Sequence, residues 1–123
     1  METQGKKILI IEDERPISRA LELKLIRAGF DASTAADGEE GLNYLSKQKV
    51  DIILLDLMMP KKDGFAVLKE LKEKGVTTPV LVLSNLGQQE DANRAKALGA
   101  KEFFIKSNTP IADIVQHIET ILG

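Results

Sequence analysis

A chain of 123 residues, 43% hydrophobic and 29% charged, fits one soluble globular domain that buries its own core. It has no cysteine and one histidine, His117, which excludes disulfides, thiol nucleophiles and histidine-rich metal sites, so any metal must be held by oxygen. Its net charge is −2, with lysines and arginines scattered, which argues against nucleic acid as the main partner.

The opening METQGKK leads straight into a four-residue apolar run, too short for a signal-peptide core. No run approaches the roughly 18 residues of a transmembrane helix. A cytoplasmic protein without a membrane partner is expected, with residues 1–6 as a short extension and 7–123 as one domain.

Along the chain, KILII (7–11) reads as the first strand. Ile17, Leu21, Leu25 and Ala28 then repeat at helical spacing until Gly29. DASTA (31–35) is the second strand and the weakest. Asp37-Gly38 turns into a helix reaching Lys47 and carrying Leu42 and Leu45. VDIILL (50–55) is a continuous apolar strand of the kind covered on both faces. Phe65, Leu68 and Leu71 mark a third helix, stopped near Gly75. VLVL (80–83) is the fourth strand, and a helix from Gln89 to Leu98 stops at Gly99. FFI (103–105) is the fifth strand. The last helix carries Ile111, Ile114, Val115, Ile118, Ile121 and Leu122 on one stripe, with Thr109 and Pro110 suited to its N-cap and first position.

Strand and helix thus alternate five times. That pattern predicts an α/β domain with a parallel sheet, right-handed crossovers and helices on both faces. Ligands of such sheets bind at the carboxyl ends of the strands. Those ends carry Glu12-Asp13-Glu14, Asp56, Ser84 and Lys106.

Taken singly, each has an ordinary reading. The acids favour the start of the next helix, Ser84 caps a turn, and Lys106 leaves a strand into solvent. Asp56 resists this treatment, because Leu55 and Leu57 offer it no polar neighbour and an unpaired carboxylate at a core edge is costly. Together the four groups share one sheet edge. Carboxylates gathered there repel one another unless a cation sits between them. With few ligands and only oxygens, Mg²⁺ keeping several waters is the natural ion. A carboxylate beside Mg²⁺ can attack phosphorus and form an aspartyl phosphate. Lys106 and the Ser84 hydroxyl would then face the phosphoryl oxygens.

At these residues the chain resembles the receiver domain of two-component response regulators, with single-domain chemotaxis-type receivers the nearest kind. The likeness runs from KKILIIEDE through DLMMPKKDG, VLVLS and FFIK to the last helix. It implies a flavodoxin-like (βα)5 sandwich with sheet order 2-1-3-4-5. It implies that Asp56 is the phosphoacceptor and that Asp13, Asp56 and the backbone carbonyl of Met58 hold Mg²⁺, with Glu12 acting mostly through water. Ser84 and Lys106 would bind the phosphoryl group and Ser84 would act in switching. Phe103 matches the aromatic that reports phosphorylation, or is simply a core phenylalanine. Two positions depart from the family pattern. Ser107 stands where proline is usual, and a cis bond before serine would cost about 3–4 kcal/mol, which favours trans. Glu12 replaces the commoner aspartate.

The partners implied are a histidine kinase or phosphotransfer protein and an unknown downstream protein. They would meet a surface of helix four, strand five and helix five, on a monomer or weak homodimer. Helix four is rich in small and polar residues (Ala92, Ala95, Ala97), which lets it shift at little cost. With nothing after the fifth helix in this sequence, output by contact is expected, without direct nucleic-acid binding by this chain; a receiver cut from a longer protein is an equal reading. Met58 and Leu86, each two residues past a site residue, are apolar where polar groups would orient water, so self-hydrolysis should be slow. Such a protein catalyses only its own phosphoryl transfer and is not otherwise an enzyme. Two alternatives stand beside it: a Mg²⁺-dependent phosphohydrolase, which would want an acid at position 58, and a receiver-like binding module that is never phosphorylated.

Overall fold

The structure is a computed structural model that describes residues 5–59, 62–85 and 88–122. In order these form β1 (Lys7–Ile11), α1 (Arg15–Arg27), β2 (Asp31–Ala35), α2 (Gly38–Lys47), β3 (Ile52–Leu55), α3 (Gly64–Glu73), β4 (Val80–Ser84), α4 (Gln89–Ala97), β5 (Glu102–Ile105), a 3-10 turn at Lys106–Asn108, and α5 (Ile111–Leu122). All four strand pairings are parallel, and the sheet order is β2-β1-β3-β4-β5. The expected flavodoxin-like topology is therefore the one adopted.

Alternation along the strands divides the core between two faces, because successive strand side chains point opposite ways. Leu9, Ile11, Ile53, Leu55 and Val82 pack with Leu42, Phe65, Leu68 and Leu71 of α2 and α3, and with Ala95 of α4. Ile8, Ile10, Ile52, Leu54, Leu81 and Leu83 pack with Leu21 and Leu25 of α1 and with Ile114 and Ile118 of α5. Two-sided burial is why the strands read as unbroken apolar runs.

Helix boundaries follow local chemistry. The Asp37 and Asp63 carboxylates accept the amides of Glu40 and Ala66 at 2.8 and 2.9 Å, capping α2 and α3. The expected stops Gly29, Gly75 and Gly99 all have positive φ, the conformation that ends helices and suits glycine. At α5 the expected start moves by one residue. The Pro110 carbonyl accepts from Ile114 at 3.3 Å, so Pro110 takes the cap position and Thr109 lies outside it. The third strand begins at Ile52 rather than Val50: the Asp51 amide still donates to Lys7 O at 2.7 Å, but the return bond goes to its side chain. The Asp51 carboxylate accepts the Lys7 amide at 2.7 Å.

The helices are not equally anchored. Helix α3 buries Gly64, Phe65, Val67, Leu68 and Leu71, whereas α4 buries Ala95 alone. Beyond that, α4 meets the domain through half-buried Leu98, the Ala97 carbonyl that accepts from Lys72 Nζ of α3 at 3.1 Å, and the Arg94 guanidinium stacked 4.0 Å above the Phe65 ring. Burial of few apolar groups makes for easy local opening. Native-state hydrogen exchange should therefore show α4 amides exchanging well before those of α3; equal protection would contradict a loosely held α4.

Candidate phosphoryl-acceptor site

The site is assembled where the sheet ends. Pairing of β1 with β2 and β3 continues one step past the strands: the Glu12 amide donates to Ala35 O at 3.0 Å and the Asp56 amide to Ile11 O at 2.9 Å. This brings Glu12, Asp13 and Asp56 to adjacent positions. One carboxylate oxygen from each lies within 4.8 Å of the others. Asp13 faces solvent, while Glu12 and Asp56 are only 4% and 3% exposed. β4 lies between β3 and β5, so its last residue, the fully buried Ser84, stands between the strands that lead to Asp56 and Lys106.

Lys106 is the first residue past β5. Its ammonium approaches Glu12 at 2.7 Å, Asp56 at 3.4 Å and Glu14 at 3.9 Å, and its side chain is 8% exposed. The described peptide bonds include no cis bond, and with Ser107 in the usual proline position the lysine still reaches the site. Glu12 is held in direct contact with Lys106 through Oε1, while its Oε2 accepts the Glu14 amide at 3.0 Å. Oε1 has no hydrogen-bond partner besides that ion pair. Helix capping does not explain these acids, because Glu14 sits at the α1 N-cap without a side-chain capping bond.

Two buried carboxylates, Glu12 and Asp56, and the half-exposed Glu14 thus face the buried Lys106 ammonium, an excess of negative charge. Burial first, and then repulsion from Glu12, push the Asp56 carboxyl up to about 7. Lys106 and the Met58 amide, which donates to Asp56 Oδ1 at 3.2 Å, pull it the other way without cancelling the rise. Burial also pulls the Lys106 ammonium down, but Glu12, Asp56 and Glu14 together hold it above its ordinary value. A divalent cation among these oxygens would relieve the excess charge. Glu12, Asp13 and Asp56 are an all-oxygen donor set, which suits Mg²⁺.

Two supports were not singled out from the sequence. Gly64 at the start of α3 lies so close to the loop after β3 that a β-carbon there would clash with the Asp56 carbonyl and sit 2.6 Å from Leu57 Cα. Its amide donates to Leu57 O at 2.9 Å, so the residue that opens α3 also braces the backbone of Asp56. Beside it, Glu70 on α3 bridges Lys62 at 2.8 Å and Lys74 at 3.1 Å. The one available signal was Asp63-Gly64 directly before an apolar helical run. Of the other expected residues, Phe103 is half-buried against the face that carries α2, α3 and α4, and the Met58 side chain is 56% exposed at the mouth of the site. His117 lies away from the site on α5, edge-on to Phe104 with ring centres 5.0 Å apart. Leu86 falls outside the described residues.

The comparisons agree with this geometry. The family model described as the response regulator receiver domain matches residues 8–119, and the chain belongs to that family. It is 39% identical over 110 residues to a probable transcriptional regulator ycf27 of Cyanophora paradoxa, covering 89% of this chain and 46% of that one. It is 39% identical over 106 residues to the alkaline phosphatase synthesis transcriptional regulatory protein PhoP of Bacillus subtilis, covering 86% and 44%. The chain therefore spans somewhat under half the length of these curated relatives. Among solved structures it resembles the Vibrio cholerae chemotaxis protein CheY4 at a TM-score of 0.88 and 28% identity, covering 96% of this chain and 99% of that one. It also resembles the Thermotoga maritima response regulator TrrA in complex with Mg²⁺ and BeF, at a TM-score of 0.83 and 26% identity, covering 95% and 99%.

The raised Asp56 carboxyl has a consequence for stability. Between its ordinary 3.8 and about 7, the folded state keeps a proton that the unfolded chain has released. The metal-free protein therefore loses stability as pH rises through that window, and the unfavourable contribution is complete above it. Asp56→Asn removes the charge, so thermal unfolding without metal should show a larger gain in Tm at about pH 8.5 than at about pH 4.5. A gain equal at both would show that Asp56 carries no such strain.

Proposed function

We propose that this receiver domain, running over 7–123, is a working phosphoacceptor in which Asp56 takes a phosphoryl group from a histidine kinase or phosphotransfer protein. The observation that carries this reading is the gathering of buried Glu12 and Asp56 with exposed Asp13 at one sheet edge, where the Lys106 ammonium meets Glu12 and Asp56. An Asp56 carboxylate oxygen forms the new bond to phosphorus as the donor's P–N bond breaks, and the imidazole nitrogen leaves with its electron pair. Glu12, Asp13, Asp56 and the Met58 backbone carbonyl would hold Mg²⁺, which when bound supplies positive charge for the phosphoryl oxygens. Lys106, now shared between Glu12 and Asp56, has one ammonium hydrogen-bond reach away from the acceptor and would follow the charge onto a phosphoryl oxygen. The Ser84 hydroxyl would face another.

New contacts at Ser84 and Lys106 would draw on β4, β5 and the loosely held α4. That bias between two packings is the proposed switch, with Phe103 and the face of α4, β5 and α5 presenting the result to a downstream protein. A cytoplasmic location and a monomer or weak homodimer complete the reading. A phosphohydrolase is disfavoured because the residue two past the nucleophile is Met58, which has no proton to give a leaving group.

Incubation with Mg²⁺ and acetyl phosphate should add one phosphoryl group by intact mass, lost in Asp56→Asn and without Mg²⁺. No adduct, with Mg²⁺ binding retained, would leave the unphosphorylated binding module as the better reading. Steady phosphate release would instead favour the hydrolase. A second expectation concerns lifetime. The Met58 side chain offers an attacking water no hydrogen bond, so Met58→Asn should shorten the life of the phosphorylated form. The change expected is roughly tenfold, below the 10²–10⁴ of a full acid or base; an unchanged lifetime would remove Met58 as the cause of slow hydrolysis.

A further inference from the structure

The chain has three methionines, at positions 1, 58 and 59, and no cysteine. All of its internal sulfur therefore lies in the loop that follows the acceptor aspartate. The two loop sulfurs differ in setting. Met59 is half-buried and packs on the core, whereas the Met58 side chain is 56% exposed. Met58 edges an open groove of about 520 Å³ shared with Asp13, Met59 and Arg94. Its own amide is tied to Asp56 Oδ1 at 3.2 Å, so its position beside the acceptor is fixed by the backbone and does not depend on where the side chain rotates.

We infer that Met58 is an oxidation-sensitive modification site whose conversion to the sulfoxide shortens the life of the phosphoryl group on Asp56. The inference rests on Asp56 being the phosphoacceptor. A hydroperoxide delivers one oxygen: the S–O bond forms as the O–O bond breaks, the sulfur loses two electrons, and hydrogen peroxide is reduced to water. Return to the thioether consumes a dithiol, which becomes a disulfide as the sulfoxide oxygen leaves as water. Oxidation replaces an apolar, polarisable tip with a dipolar S=O that accepts hydrogen bonds. Placed two residues past Asp56, that oxygen can hold the water that the thioether cannot. Exposure makes Met58 react before Met59, so the change is confined to the mouth of the site and leaves the core intact.

The test uses the whole chain treated with limiting hydrogen peroxide, peptide mapping by tandem mass spectrometry, and then phosphorylation with Mg²⁺ and acetyl phosphate. Met58 sulfoxide should accumulate before Met59 sulfoxide. The phosphoryl lifetime should fall roughly threefold or more, a fraction of the about 10²-fold effect of a fully positioned base. Methionine sulfoxide reductase with a dithiol should restore it. Each variant is compared with its own untreated form: Met59→Leu should keep the response to peroxide and Met58→Leu should lose it. An unchanged lifetime at full Met58 oxidation overturns the inference, as does an equal response in Met58→Leu. Preferential oxidation of Met59 overturns the assignment of the site. Absence of any adduct on the untreated protein is a different failure, that of the phosphoacceptor reading itself, and it is recognised before peroxide is added.

Discussion

The structure turns on one shared ammonium. Lys106 is the cation placed between Glu12 at the end of β1 and Asp56 at the end of β3, and it arrives from the far side of the sheet, past β5. Parallel pairing makes this meeting possible, since every strand delivers its last residue to the same edge. One positive charge cannot neutralise three carboxylates, so the site is held together while remaining short of positive charge. That shortfall would be relieved by a cation and, under the proposed function, would leave Lys106 to meet the oxygens of a phosphoryl group.

The same placement decides where a change at the site can be felt. Strands β1 and β3 are covered on both sides and leave no room to move, in keeping with the close packing of protein interiors. All four residues of β5 are only half-buried, and its two aromatic side chains go to opposite cores. Phe103 joins the layer beneath α2, α3 and α4, and Phe104 joins that beneath α1 and α5, where it meets His117. A pull on Lys106 acts on this strand directly. Its neighbour α4 is held by one buried alanine, half-buried Leu98, a hydrogen bond from Lys72 to the Ala97 carbonyl and a guanidinium stacked on a ring, whereas α5 contributes three buried apolar side chains. Movement at this edge should therefore fall mainly on α4 and β5.

The architecture was legible in the sequence because two-sided burial writes itself as continuous runs such as IILL, and helix ends write themselves as glycines. The five strands and five helices lie where those runs lie, with shifts of one or two residues where hydrogen bonding rather than hydrophobicity sets the boundary, as at Asp51 and Pro110. The gathering of Glu12, Asp13, Asp56 and Lys106 was legible too, since strand order and direction determine which ends are neighbours. What sequence could not supply was how charge is distributed among them. Nothing in the pattern says that Glu12, one methylene longer than aspartate, would meet Lys106 directly, or that Glu14 would join from the helix cap. Nor does a glycine after an aspartate announce that its missing β-carbon makes room for the Asp56 carbonyl. Such facts depend on distances of an ångström between segments far apart in the chain.

Those distances bear on whether the acceptor chemistry is in use. A receiver-like module that only bound partners would gain from losing the charge at position 56, because burial and Glu12 together make that carboxylate unfavourable in the metal-free fold. Asparagine would keep the hydrogen bond from the Met58 amide and relieve the repulsion. Asp13 faces solvent and fills no core, and the Glu12 oxygen that meets Lys106 has no other partner among the described residues. Stability alone therefore does not account for Asp56 or Asp13, whereas the proposed cation and transferred phosphoryl group would use both.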